Sequence, residues 1–187
     1  LLLGWSWQKY LFHSSYYRNP SINNINKVIT VHDFTYEYFS SGLKKYIHTS
    51  QKYSALQNAD KIICISNNTK SDLSSFLGDD IAGRSTVIYN GVSSDYFILE
   101  HILKKPQILF VGSRAIYKGF FDAIYALAPI KDFNLVIVGG GNITPHEKNV
   151  LESVLSGRYE YIPFVNNSDL NQLYNESLCL LYPSLYE

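Results

Sequence analysis

Methionine is absent from all 187 residues. No residue therefore marks a natural start, and the chain is expected to be an excerpt of a longer protein. Cysteine occurs only twice, as Cys64 in "KIICIS" and Cys179 in "SLCLLYP". Neither has a His or a second Cys at metal-ligand spacing, so no zinc site is assigned. Both are expected to be small buried apolar side chains in a reducing compartment. Net charge is absent as well, because 16 basic side chains cancel 16 acidic ones. That balance argues against a nucleic-acid partner, which calls for a basic excess, and leaves room for a small anionic ligand. No apolar run approaches the roughly 20 residues that span a bilayer. The opening "LLLGWSWQKYLF" lacks a basic leader and a small-residue cleavage site, so it reads as a core strand or helix rather than a signal peptide; a membrane-surface segment is the alternative. Also missing are a G-x-G-x-x-G dinucleotide fingerprint, a G-x-x-x-x-G-K-[ST] phosphate loop and an Asp-x-Asp metal motif.

What is present is a globular composition, 46% hydrophobic and 17% charged, enough for one large or two small domains. From residue 107 the pattern alternates between strand and helix. "QILFV" and "NLVIV" are continuous apolar runs of the kind covered on both faces. "GFFDAIYALAPI" between them has helical spacing. "TPHEKNVLESVLSG" opens on a capping box, with Thr144 at its head, Pro145 at the first helical position and Glu147 two residues further on. Gly157 ends it. "YEYIPFV", "SDLNQLYNES" and "LCLLYP" continue as strand, helix, strand. This alternation predicts an α/β, doubly wound parallel sheet. The first half follows the same logic: "KVITVHD", "DKIICIS" and "STVIYNG" read as strands. A helix over 41–59 carries Leu43, Tyr46, Ile47, Tyr53 and Leu56 on its apolar face. Ser66 is the cap of a helix that ends at Gly78. The pattern lapses over "VSSDYFILEHILKKP", predicting a linker and two lobes, 1–95 and 96–187. Ligands of open parallel sheets bind beyond the carboxyl ends of the strands. Residues just after strands are therefore the candidates: His32 and Asp33, Asn90 and Gly91, Gly112 to Lys118, Gly139 to Gly141, and Ser184 to Glu187.

The turn "VGSRAIYKGF" raises the sharpest question. Gly112 allows a tight strand exit, and Ser113 follows it. Arg114 offers a planar fork suited to phosphate oxygens, Lys118 adds a point charge, and a helix starting nearby points its positive end at the same space. Together they suit a diphosphate; solvated surface charge is the alternative.

Six segments in order, "VITVHDFTYEYF", "ALQNADKIICISNNTKSDL", "VIYNGVSSDYF", "ILFVGSRAIYKGF", "LVIVGGG" and "FVNNSDLNQLYNESLCLLYPSLYE", cover residues 28–187. They resemble the retaining glycosyltransferases of the GT-B fold, in the large group called family 4. The resemblance implies two Rossmann-like lobes facing a cleft, both incomplete here, with an acceptor-side first lobe and a nucleotide-sugar donor lobe second. It implies that Arg114 and Lys118 hold the donor diphosphate and stabilise charge on the leaving group. Gly112 and Ser113 lie beside it, and Gly139 and Gly140 allow close approach of the nucleotide. Phe164 and Val165 belong to a segment whose backbone reads the base, and His32 reaches the donor sugar. Glu187 matches the first of two family glutamates seven residues apart.

No cofactor or divalent metal is implied; the nucleotide-diphospho-sugar is a substrate. The implied activity is sugar transfer with retention to a glycan or lipid-linked acceptor, as in surface polysaccharide assembly. The implied setting is cytoplasmic, extending to the inner face of the plasma membrane through peripheral contact. A non-catalytic sugar-nucleotide-binding module and a GT-B sugar-nucleotide epimerase are the alternatives. Incomplete sheets would also favour self-association.

Overall fold

The computed structural model describes residues 10–18, 20 and 25–186. The chain divides into two compact units between Gly91 and Val92. The first unit holds β1 (Leu11–Ser14), β2 (Asn26–Val31), α1 (Thr35–Phe39), α2 (Gly42–Gln57), β3 (Lys61–Cys64), α3 (Asn67–Leu77), α4 (Asp79–Ala82) and β4 (Ser85–Val87). Its strands pair in parallel in chain order, β1-β2-β3-β4. Ile29, Val31, Ile62, Cys64, Leu56 and Leu73 are buried there. The α3 start follows from sequence: Ser66 Oγ accepts the Thr69 N–H at 3.0 Å, the N-cap bond that satisfies an orphan donor.

The second unit holds β5 (Gln107–Val111), α5 (Phe120–Leu127), β6 (Asn134–Val138), α6 (Pro145–Leu155), β7 (Tyr159–Ile162), α7 (Asn167–Glu176) and β8 (Cys179–Leu180), with a 3₁₀ turn over Ile116–Lys118. Its strand order is β7-β6-β5-β8, again parallel. Period-2 alternation divides the sheet's side chains between two layers. Ile108, Phe110, Leu135 and Ile137 face α5 and α6 through Phe120, Ile124, Leu151 and Leu155. Leu109, Val136 and Val138 face α7 through Leu170, Leu173 and Tyr174. Strands thus grow to one side of β5 through α5 and α6. The chain then crosses by the other face and places β8 on the opposite side.

Three expectations are corrected. On α2 the buried residues are Lys52, Ala55 and Leu56, whereas Leu43, Tyr46 and Ile47 are exposed. Of the expected face, Leu56 is buried and Tyr53 half-buried, but the packed arc is shifted toward Lys52 and Ala55, with the Lys52 ammonium turned inward. It donates to Asp33 O at 2.6 Å, pairs with Glu37 at 3.0 Å and sits 3.6 Å over the Phe34 ring. Cys64 is buried, but Cys179 is exposed, because β8 pairs only with β5 among the described strands. The stretch expected to be a loose linker has neither helix nor strand from Ile88 to Pro106, yet part of it is docked. Asn171 Oδ1 accepts the Phe97 N–H at 3.1 Å and Asn175 Oδ1 accepts the Leu99 N–H at 2.9 Å. Asn167 donates to Asp95 at 2.7 Å. These asparagines are spaced i, i+4, i+8 along one face of α7.

Candidate functional site

Strand order reverses at β5, so the region beyond the carboxyl ends of β5 and β8 is the topological switch point of the second sheet. Three turns converge on that edge. After β5 the backbone turns at Gly112, whose φ of 106° suits glycine, and the Gly112 N–H donates to Val138 O at 2.9 Å. Ser113 is exposed beside it. The Ile116–Lys118 turn closes on Gly119, where a Cβ would lie 2.3 Å from Pro183 O. The segment after β8 is tied to the same turn: Leu185 N–H donates to Tyr117 O at 2.8 Å and Ser184 Oγ to that oxygen at 3.2 Å. Lys118 is half-buried, its Nζ 5.1 Å from the ring centroids of both Tyr117 and Tyr182. Its charge is thereby held at the switch point, beside the turn that follows β5.

Arg114 does not stand as expected. Its side chain is 3% exposed, and its fork is turned to a carboxylate and three carbonyls of the second unit. Nε donates to Glu147 Oε1 at 2.9 Å, Nη1 to Gly139 O at 2.7 Å, and Nη2 to Gly141 O at 2.8 Å and Asn142 O at 2.9 Å. The guanidinium also lies 5.6 and 5.5 Å from the Phe120 and Tyr161 rings. All four of these bonds are made to groups of the second unit itself. A buried guanidinium must satisfy its donors, and backbone carbonyls of the glycine turn do so here.

Gly139, Gly140 and Gly141 all have positive φ, near 77°. At Gly140 the need for glycine is doubled, since a Cβ would lie 2.6 Å from both Arg114 Nη1 and Gly112 O. The post-β6 turn therefore rests directly on the post-β5 turn, with Arg114 beneath.

Glu147 completes this network, and only its capping role was legible beforehand. Its Oε2 accepts the Thr144 N–H at 2.7 Å and the Thr144 hydroxyl at 2.9 Å, while the Glu147 N–H donates to Thr144 Oγ1 at 3.2 Å. Burial works to raise the Glu147 pKa. Hydrogen bonds from the Thr144 backbone, the Arg114 guanidinium and the Thr144 hydroxyl outweigh it and hold the carboxyl below the usual glutamate value. Two further residues were missed: the Tyr161 hydroxyl donates to Gly141 O at 2.5 Å, and the Tyr182 hydroxyl lies 3.8 Å from the Cβ position of Gly112. Both look like ordinary strand aromatics in sequence, so no local signal singles them out.

The remaining candidates are more scattered. Phe164 is 81% exposed in the turn after β7, while Val165 packs into the layer beneath α7. Glu187 lies outside the described residues. In the first unit His32 is exposed at the end of β2, its carbonyl accepting from Thr69 Oγ1 at 3.4 Å. Asp33 is a turn residue, its carboxylate accepting the Thr35 N–H at 2.9 Å.

The family model described as glycosyl transferases group 1 matches residues 94–187, and that described as glycosyltransferase family 4 matches residues 7–96. An uncharacterized glycosyltransferase of Methanocaldococcus jannaschii is 29% identical over 119 residues, which is 64% of this chain and 31% of that protein. Among solved structures, sucrose-phosphate synthase from Thermosynechococcus elongatus superposes with a TM-score of 0.77 at 19% identity, over 95% of this chain and 51% of that one. TarM from S. aureus, in a variant solved with fondaparinux, alpha-GlcNAc-glycerol and UDP, gives 0.66 at 14% identity, over 90% and 34%. The catalytic domain of starch synthase IV from Arabidopsis thaliana, bound to ADP and acarbose, gives 0.57 at 11% identity, over 88% and 47%. The chain thus spans about half or less of each of these proteins.

Proposed function

The chain belongs to the glycosyl transferases group 1 family, and from that premise we propose that its second unit binds the diphosphate of a nucleotide-sugar donor at the β5/β8 switch point. The observation that carries this reading is the turn Ile116–Lys118, tied to the segment after β8 and bringing the Lys118 ammonium against the Tyr182 ring, whose hydroxyl lies 3.8 Å from the Cβ position of Gly112. The N-terminus of α5 begins at Phe120, two residues after that cation, and the positive end of a helix dipole favours an anion. When the sugar–phosphate bond breaks, negative charge accumulates on the leaving diphosphate. A fixed ammonium and helix end there stabilise the transition state more than the ground state. No divalent metal is required for that task in this proposal.

We further infer transfer with retention from the donor to a glycan or lipid-linked acceptor, in surface polysaccharide assembly. Structures sharing this fold were solved with UDP or ADP and with saccharides, which supports the substrate classes. His32, Phe164, Val165 and Glu187 keep the roles that the resemblance implies for them. Among the described residues no helix is long and apolar enough to cross a membrane. Peripheral contact with an anionic bilayer is supported by the exposed Tyr38, Phe39, Leu43, Tyr46 and Ile47, interleaved with Lys44 and Lys45. Self-association of this chain is supported by the unpaired outer edges of β1 and β8 among the described strands.

A thermal-shift comparison with UDP-, GDP- and ADP-sugars tests the donor reading. One nucleotide class is expected to raise the melting temperature, since ligand at 100 times its Kd stabilises by about 2.7 kcal/mol. Absence of any shift across the three would contradict it.

A further inference from the structure

We propose that Arg114 is a positioning residue, not a phosphate ligand: with Glu147 it clamps the Gly139–Asn142 turn onto the Gly112 turn and so sets the backbone that faces the donor. This rests on the donor reading above for its consequence, and on geometry alone for its mechanism.

Each of the three guanidinium nitrogens donates to an acceptor within the second unit. Three carbonyls of one glycine turn and one carboxylate accept from it, at 2.7–2.9 Å. At 3% exposure it has no open face from which to meet an anion in solvent. The acceptors belong to separate parts of the chain: Gly139, Gly141 and Asn142 follow β6, and Glu147 lies in the first turn of α6. Arg114 itself follows β5. One side chain therefore joins the exits of two neighbouring strands to the start of the helix behind them. A lysine could not do this, because it has no planar fork to bridge the separate acceptors.

Gly140 supplies the contact through which the clamp acts. It sits with no side chain between Arg114 Nη1 and Gly112 O, where a Cβ would be 2.6 Å from each. The turn thus seats against Gly112, the residue that shapes the backbone at the switch point. Drawing the carbonyls of Gly139, Gly141 and Asn142 to the guanidinium fixes a run of three glycines with positive φ, the residue type with the most backbone freedom to lose. Tyr161 adds a second inward donor to Gly141 O.

A direct ligand and a positioning residue predict different behaviour when charge and shape are varied separately. The 187-residue chain and its Arg114→Ala, Arg114→Lys, Gly140→Ala and Arg114→Ala/Gly140→Ala variants are titrated with UDP, GDP and ADP at several salt concentrations. Hydrogen exchange is followed in the unliganded proteins. With the nucleotide that binds, Arg114→Ala and Gly140→Ala are each expected to weaken binding by about tenfold, within the range by which residues that do not touch a ligand modulate its site. The double variant is expected to lose little more, because both act on one contact. Arg114→Lys is expected not to restore affinity. The slope of log Kd against log salt is expected to stay unchanged in Arg114→Ala, since no cation facing the phosphate is removed.

Rescue by lysine, additive losses or a reduced salt slope would overturn the proposal in favour of direct contact. A stability loss with unchanged affinity in both single variants would overturn it in favour of a purely structural role. If none of the three nucleotides binds the parent chain, the donor reading fails. The clamp is then decided by hydrogen exchange alone. In Arg114→Ala, faster exchange at Gly112–Ser113 and Gly139–Asn142 in excess of the rise common to the second unit supports it, and no such local excess overturns it.

Discussion

Arg114 and Lys118 sit four residues apart on one turn and do opposite things with a positive charge. Lys118 keeps its ammonium among two tyrosine rings at the edge of the sheet, whereas Arg114 is buried against a carboxylate and three carbonyls. Stability separates them. Arg114→Ala leaves the buried Glu147 carboxylate without its cation, a change expected to cost the second unit about 3–5 kcal/mol. Lys118→Ala is expected to cost less than that and to weaken nucleoside-diphosphate binding by about tenfold. Denaturant unfolding beside a UDP, GDP and ADP titration checks both; a Lys118 variant that binds as tightly as its parent removes the proposed role. The sequence could show that two cations follow a strand. It could not show that the acceptor for one of them lies 33 residues away on α6, because a partner at that separation is a tertiary fact.

At the scale of the element, α6 was readable almost in full. Thr144, Pro145 and Glu147 announce its start, and both reciprocal bonds of the box are present. Thr144→Ala is expected to cost about 1 kcal/mol, the usual loss for an N-cap. Glu147 also gives the lobe a pH dependence of known sign. Its folded pKa is held below the unfolded value, so its contribution is fully present above the ordinary glutamate pKa of about 4.3. That contribution is lost as pH falls through the depressed folded value. Stability of the second unit should fall more steeply below that pH in the parent than in Glu147→Gln, and parallel acid-unfolding profiles would contradict this.

Helix α2 shows the limit of periodicity. Its spacing identifies an apolar stripe at Leu43, Tyr46, Ile47, Tyr53 and Leu56; Leu56 is buried, but Leu43, Tyr46 and Ile47 are exposed and Lys52, paired with Glu37, faces inward. Co-sedimentation with phosphatidylserine-containing vesicles is expected to decrease when Leu43, Tyr46 and Ile47 are all changed to Ser. Equal recovery would remove the membrane proposal. The connecting segment was legible as irregular, but its anchoring was not, because side-chain amides on α7 hold it without any secondary structure of its own. Asn171→Ala is expected to speed exchange at the Phe97 amide, and unchanged exchange would show that the amide is protected by other means.

For the whole molecule, the alternation of apolar runs with amphipathic stretches was sufficient to predict two parallel sheets. Strand order was not available from that pattern. That β8 returns to the far side of β5 depends on which face α7 covers, and this follows from Leu170, Leu173 and Tyr174 packing on Leu109, Val136 and Val138. The reversal decides where a ligand should sit, and it also explains why Cys179, in an apolar run, ends exposed on an edge strand. The central claim is that a nucleoside diphosphate binds where β5 and β8 part, and amide chemical-shift mapping during titration with UDP, GDP and ADP tests it most directly. The account predicts saturable shifts for one of the three, concentrated at Gly112–Gly119 and Tyr182–Leu185. Shifts confined to other parts of the chain, or none with any nucleotide, would contradict it.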